Sequence, residues 1–190
     1  MYQELTVNLS GLSPLLMHCG QMSDPLNDFT IRMKAISKLR NKTDEHHEQM
    51  ARIEWEAGLY LNDKGAPCIP GENIESMFIA AAKKQKMGPQ AKAGIICDGN
   101  FAVIFDGPKG IEALYEDRRF SDRRSVCIQR ARIMRTRPIF YDWQLKFKIN
   151  YLPDQFEKSQ VAEILDIAGR VIGLGDYRPR FGRFLVDSCK

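Results

Sequence analysis

The chain has 190 residues, 44% of them hydrophobic and 27% charged, with a formal net charge of +4. That suits one domain with a real core, or one domain with a sizeable insertion, and no apolar run approaches the roughly 20 residues a membrane helix needs. Met1-Tyr2-Gln3-Glu4 lacks the basic-then-apolar layout of a signal peptide, so a cytoplasmic chain without membrane contact is expected.

Leu5, Val7 and Leu9 alternate with Thr6, Asn8 and Ser10, which predicts a half-buried strand over residues 4–10. Gly11-Leu12-Ser13-Pro14 ends it, and residues 15–17 continue as a short edge piece. Residues 20–57 read as an insertion of two helices. Phe29, Met33, Ile36 and Leu39 have helical spacing in the first; Met50, Ile53 and Ala57 mark the second, after a polar stretch at 43–48. Residues 60–69 resemble a small hairpin turning at 63–65. Asn73 is placed to cap a helix whose buried stripe is Ile74, Met77, Phe78 and Ala81. Residues 94–105 suit a strand, or a hairpin around Asp98-Gly99-Asn100.

A basic excursion spans about 107–140 and closes at Arg137-Pro138. Leu145, Phe147, Ile149 and Tyr151 then alternate with Gln144, Lys146, Lys148 and Asn150, a clear strand pattern. Val161, Ile164, Leu165, Ala168, Val171 and Ile172 form an amphipathic helical stripe that runs into a glycine-rich loop and a last strand at 183–187. Without the insertion and the excursion the order is β-α-β-β-α-β. The expectation is a single α+β domain over 1–190, ferredoxin-like or RRM-like. Two helices would cover one sheet face and leave the other free, a platform that RNA-recognition modules use.

Two segments carry binding chemistry. Between 118 and 137 stand Arg118, Arg119, Arg123, Arg124, Arg130, Arg132, Arg135 and Arg137, against one acid, Asp122, and no lysine. A merely solvated hairpin would be served equally by lysine, whereas forked phosphate contacts and base stacking prefer arginine. The second segment is the loop of Gly173, Gly175 and Gly182 with Tyr177, Arg178, Arg180, Phe181 and Arg183. A helix cap and a proline turn explain the glycines alone. The rings add faces for bases, and the guanidiniums add donors for phosphate.

Metal and cofactor chemistry finds no footing. Cys19, Cys68, Cys97, Cys127 and Cys189 contain no C-x-x-C pair, which argues against both a disulfide framework and a zinc ribbon. His46 and His47 lie in a charged stretch, and His18 stands alone beside Cys19.

Three segments together resemble a known family. Ile69-Pro-Gly-Glu-Asn-Ile-Glu-Ser76 resembles the I-P-G-S-S-L-K-G entry to the first helix in the RAMP superfamily of CRISPR-associated proteins. Gly173-Leu-Gly175 with Phe181-Gly-Arg-Phe184 resembles that superfamily's last glycine-rich loop, and Leu9-Ser-Gly-Leu-Ser-Pro-Leu-Leu-Met17 resembles the end of its first strand. The basic excursion occupies the place of the thumb hairpin in backbone subunits of CRISPR effector complexes. Asn73 and Glu75 depart from the pattern, standing where small polar and basic residues are usual. The chain therefore reads as a divergent member, of the kind a phage or mobile element carries.

The resemblance implies a non-catalytic subunit that stacks head to tail with copies of itself along a single strand of guide RNA, beside other CRISPR effector subunits. The residues themselves leave RNA and DNA both open. Some RAMP proteins are endoribonucleases, which makes His18 the candidate general acid or base and Asp24 the candidate cutting aspartate. No partner group is placed beside His18 by the sequence, and acid–base catalysis needs groups in mutual reach. A third reading is a structural assembly protein whose basic arm binds an acidic protein.

Overall fold

Residues 1–129 and 131–190 are described by the structure, a computed structural model. In chain order the elements are β1 (Gln3–Gly11), β2 (Leu15–Leu16), α1 (Asp28–Ser37), α2 (Asp44–Gly58), β3 (Cys68–Pro70), α3 (Gly71–Ala82), α4 (Gly88–Gly94), β4 (Ile95–Ile96), β5 (Asn100–Ile104), α5 (Ile111–Glu116), β6 (Ser121–Ile128), β7 (Ala131–Phe140), β8 (Gln144–Tyr151), α6 (Lys158–Ile167) and β9 (Phe184–Cys189). The class is α+β, as expected, and every registered strand pair is antiparallel.

The chain divides into two units where the sequence suggested one domain. The first holds residues 1–15, 61–106 and 140–190; the second joins residues 16–60 to 107–139. The insertion and the basic excursion, read separately from the sequence, thus fold together.

The first unit is built on a sheet in the order β3-β5-β8-β1-β9. β1 and β5 flank α3 in sequence yet have β8 between them; β8 and β9 flank α6 with β1 between them. This is the spacing of split βαβ connections. Leu5, Val7 and Leu9 face the core with Leu145, Phe147 and Ile149 of β8, all almost wholly buried. Ile74, Met77, Phe78 and Ala81 of α3 and Val161, Ile164 and Leu165 of α6 complete that core. Each large apolar side chain so buried stabilises the unit by roughly 1.5–3 kcal/mol relative to exposure. Val171, expected in the same stripe as α6, is exposed, because a π-turn at Ala168–Ile172 shifts the helical phase after Ile167.

Two boundaries differ from expectation. α3 starts at Gly71 with Pro70 as its N-cap, three residues before the Asn73 cap the sequence favoured. Gly71 donates its N–H to the Gly99 carbonyl at 2.8 Å, and a Cβ there would collide with the Cys97 carbonyl oxygen. The helix entry thus needs glycine because another backbone runs against it. Of the two readings of 94–105, a strand or a hairpin, neither describes it: β4 and β5 are separate strands that both pair with β8, at Ile95↔Tyr151 and Val103↔Leu145.

In the second unit, Thr43 accepts the His46 N–H and the His46 ring accepts the Thr43 N–H, a capping box that starts α2. The polar stretch at 43–48 is therefore the cap and first turn of the helix. Asp44 and Glu45 suit that end of its dipole. β6 and β7 form the expected hairpin, in register from Ser121↔Pro138 to Ile128↔Ala131, within a sheet ordered β2-β7-β6. The short helix α5, preceding the hairpin, was not legible in the sequence. Trp55 of α2 is wholly buried and donates its Nε1–H to the Phe120 carbonyl at 2.8 Å, tying insertion to excursion.

Candidate nucleic-acid interface

Strand pairing puts Arg123, Arg124, Arg132, Arg135 and Arg137 on one ladder, with Arg118 and Arg119 in the turn before it, and carboxylates then divide these arginines into two groups. Arg124 is forked onto Asp122, with Nε donating to Oδ2 at 2.7 Å, and Arg137 lies 3.7 Å from the same carboxylate. Arg137 is only 6% exposed. Arg135 donates to Glu54 of α2 at 2.5 Å, and the other Glu54 oxygen accepts the Thr136 N–H at 2.8 Å. Arg119 is bound to Asp117 at 2.7 Å and holds that carboxyl below its ordinary range.

These four side chains are paired with carboxylates within the chain, which sets them apart from the other arginines of the segment. Arg137 in particular is a core cation. Arg118, Arg123 and Arg132 are exposed and have no carboxylate partner among the described residues. Arg130 lies outside the described residues. Glu54, missed from the sequence, is the counter-ion that sorts this set. An acid set between the apolar Ile53 and Trp55 was its local signal in the sequence.

The glycine-rich loop belongs to the first unit and is clamped to the end of β1. Arg183 O accepts the Leu12 N–H at 2.7 Å, the Arg183 N–H donates to Ser13 Oγ at 2.9 Å, and the Gly182 N–H donates to the Pro14 carbonyl at 2.8 Å. Two of the segments that resemble the RAMP superfamily are thereby brought together. Gly182 sits at φ +73°, and a Cβ on it would collide with the Leu174 carbonyl oxygen. Gly173, at φ +80°, likewise faces the Phe181 carbonyl oxygen. Gly173 and Gly182 therefore serve the chain's own close packing. Gly175 also has positive φ, at +80°.

The two rings of the loop separate. Phe181 is 7% exposed, a core side chain that offers no face to a base, whereas Tyr177 is 51% exposed. They stack with centroids 5.7 Å apart and planes 28° from parallel. Tyr177 is thus held from below by a core ring. Arg178, Arg180 and Arg183 are exposed.

The face of the sheet opposite the helices carries Thr6, Asn8, Ser10, Ile104, Lys146 and Lys148. No aromatic side chain stands on it among the described residues, so the stacking platform expected by analogy with RNA-recognition modules lacks its rings. Lys148 is paired with Glu4 at 2.9 Å, and Asn8 bonds Ser188 at 2.7 Å.

The two candidate catalytic residues are not joined. His18 is exposed, and its backbone carbonyl accepts the Tyr60 hydroxyl at 3.1 Å. Asp24 is exposed and accepts the Leu26 N–H at 2.9 Å, a local turn. No hydrogen bond or ion pair links them among the described residues. Glu75, which departs from the RAMP pattern, accepts the Cys97 N–H at 2.7 Å. The departure thus holds the β4 end in place.

The described residues contain no group of three or more His, Cys, Asp and Glu side chains able to hold a metal, and no helix among them is long and apolar enough to cross a membrane. The five cysteines form no disulfide among the described residues. No family model matches the chain, and no curated protein matches it.

Proposed function

We propose that this chain binds single-stranded nucleic acid without cutting it, as a repeating backbone subunit of a cytoplasmic ribonucleoprotein of the RAMP type, with guide RNA as the strand. The observation that carries the reading is the set of exposed arginines without carboxylate partners, Arg118 in the turn before the hairpin and Arg123 and Arg132 on it, where the remaining described arginines of the segment are already neutralised. Unneutralised guanidiniums held on a rigid ladder favour a polyanion, and each phosphate they meet releases counterions. The exposed Tyr177 ring, with the exposed Arg178 and Arg180 following it in the loop, adds a surface suited to an unstacked base.

Affinity for single-stranded RNA should fall steeply as salt rises. Replacing Arg118, Arg123 and Arg132 together by alanine should flatten the slope by about 0.7 per lost phosphate contact. Equal affinity at low and high salt, or no binding at low salt, defeats the proposal. RNA cleavage by the purified chain that disappears in His18→Ala or Asp24→Ala would replace it with the endoribonuclease reading.

A further inference from the structure

A groove of about 500 Å³ opens in the second unit, lined by α2, α5 and the start of the hairpin. Its size falls within the range of small-ligand sites. On one side lies Arg52, whose guanidinium is fixed in place. Its Nε donates to Glu56 at 2.7 Å, its terminal nitrogen bonds both oxygens of Glu112, and its guanidinium carbon lies over the Tyr115 ring, 5.3 Å from the centroid. Tyr115 in turn packs edge-on against Trp55, centroids 5.2 Å apart. The two carboxylates hold Arg52 charged and take up its Nε and one terminal nitrogen. The guanidinium is thereby immobilised, and guanidinium planes stack on nucleobases.

The rest of the lining is polarised. Arg118 and Arg123 are exposed cations without a carboxylate partner among the described residues, whereas Glu45, Glu48 and Gln49 supply acceptors from α2. A phosphate is attracted to the arginines and repelled by Glu45 and Glu48. A base edge carrying N–H donors is attracted to Glu48 in the same way that acidic side chains accept from base amino groups. Flat stacking surface, paired cations and an acidic acceptor within one groove are the three features that a nucleotide satisfies together.

We infer that this groove binds one nucleotide, with its base on the Arg52–Tyr115 stack, its phosphate at Arg118 and Arg123, and a preference for guanine, whose N1–H and amino group both donate. The inference rests on the strand-binding reading in taking that nucleotide from the bound strand. A free nucleoside monophosphate carries the same chemistry.

The test uses the full chain stripped of nucleic acid at high salt. Calorimetric titration compares GMP, AMP, CMP, UMP and guanosine. GMP should bind best, and guanosine about tenfold more weakly, because it lacks the charged contact. Arg118→Ala with Arg123→Ala should erase the difference between GMP and guanosine. Glu48→Gln should narrow the preference for GMP over AMP. In a second arm, one guanosine placed in an oligouridylate should raise strand affinity in the wild type and not in Glu48→Gln. Unchanged melting temperatures will show that these surface variants fold. No binding of any monophosphate up to roughly 5 mM, with no effect of the added guanosine, overturns the groove assignment. Strand binding that persists in that case leaves the proposed function standing. GMP binding without strand binding supports the groove as a free-nucleotide site and removes the strand reading instead.

Discussion

Burial pushes the Cys97 thiol up to about 12, with the carboxylates of Glu75 and Asp98 acting in the same direction. Its Sγ–H donates to the Lys148 carbonyl at 3.1 Å. The folded chain keeps this proton while the unfolded chain releases it near the ordinary value of 9.0, so the associated stability is present at neutral pH and lost as pH rises from 9.0 towards about 12. The fall in melting temperature over that alkaline range should be shallower in Cys97→Ala than in the wild type. Alkylation at about pH 8 should label exposed Cys127 and spare Cys97, since the thiolate is the reactive form. Labelling of Cys97 at the rate of Cys127 would contradict this account. The stacked rings differ at the same scale. Phe181→Ala should cost about 3–5 kcal/mol of stability as a buried ring is lost. Tyr177→Ala should leave stability nearly unchanged and weaken strand binding by about 1–3 kcal/mol without altering the salt slope. A melting temperature lowered equally by both changes would remove Tyr177 from the interface.

Among the elements, the hairpin and α2 depend on each other through one carboxylate. Glu54 takes the Arg135 guanidinium with one oxygen and the Thr136 N–H with the other, across 81 and 82 residues of chain. Glu54→Ala should leave that buried N–H without its acceptor and cost about 1–3 kcal/mol, read from the urea midpoint. Arg132→Ala, at an exposed hairpin position, should cost less than about 0.5 kcal/mol. Equal midpoints for the two variants would show that Glu54 does not anchor the hairpin. The same pairing explains why an eight-arginine segment with one internal acid is less cationic than it reads. Asp117 lies just outside the segment, and Glu54 comes from another helix.

At the scale of the whole molecule, the prediction concerns assembly. A head-to-tail contact has different surfaces on its two sides and extends as an open filament when rotation does not close it. Mixed with single-stranded RNA of increasing length, the chain should form species whose mass grows with strand length, leave the RNA intact, and protect it at regular spacing from added nuclease. Mass photometry that finds one protein per strand at every length would remove the filament claim and leave binding untouched. The division into two units bears on how such a test is designed. The arginine hairpin belongs to residues 16–60 and 107–139, whereas the glycine-rich loop belongs to the other unit, so the two sets of variants fall in different units.

The amino-acid sequence by itself determined the regular elements that have a strong period. Leu5, Val7 and Leu9, and Leu145, Phe147 and Ile149, alternate because one face of each strand is apolar, and the stripes of α3 and α6 repeat at helical spacing for the same reason. It also determined the α+β class, the position of the arginine hairpin and the glycine-rich turn. Only the tertiary structure decided that the insertion and the excursion form one unit, that β4 pairs with β8, and that Phe181 is core where Tyr177 is exposed. It likewise decided which arginines are neutralised. Periodicity reports which face of a local element is apolar, but not what that face will meet. Pairings such as Glu54 with Arg135 and Trp55 with Phe120 are set by packing between segments tens of residues apart, and no local window contains both partners.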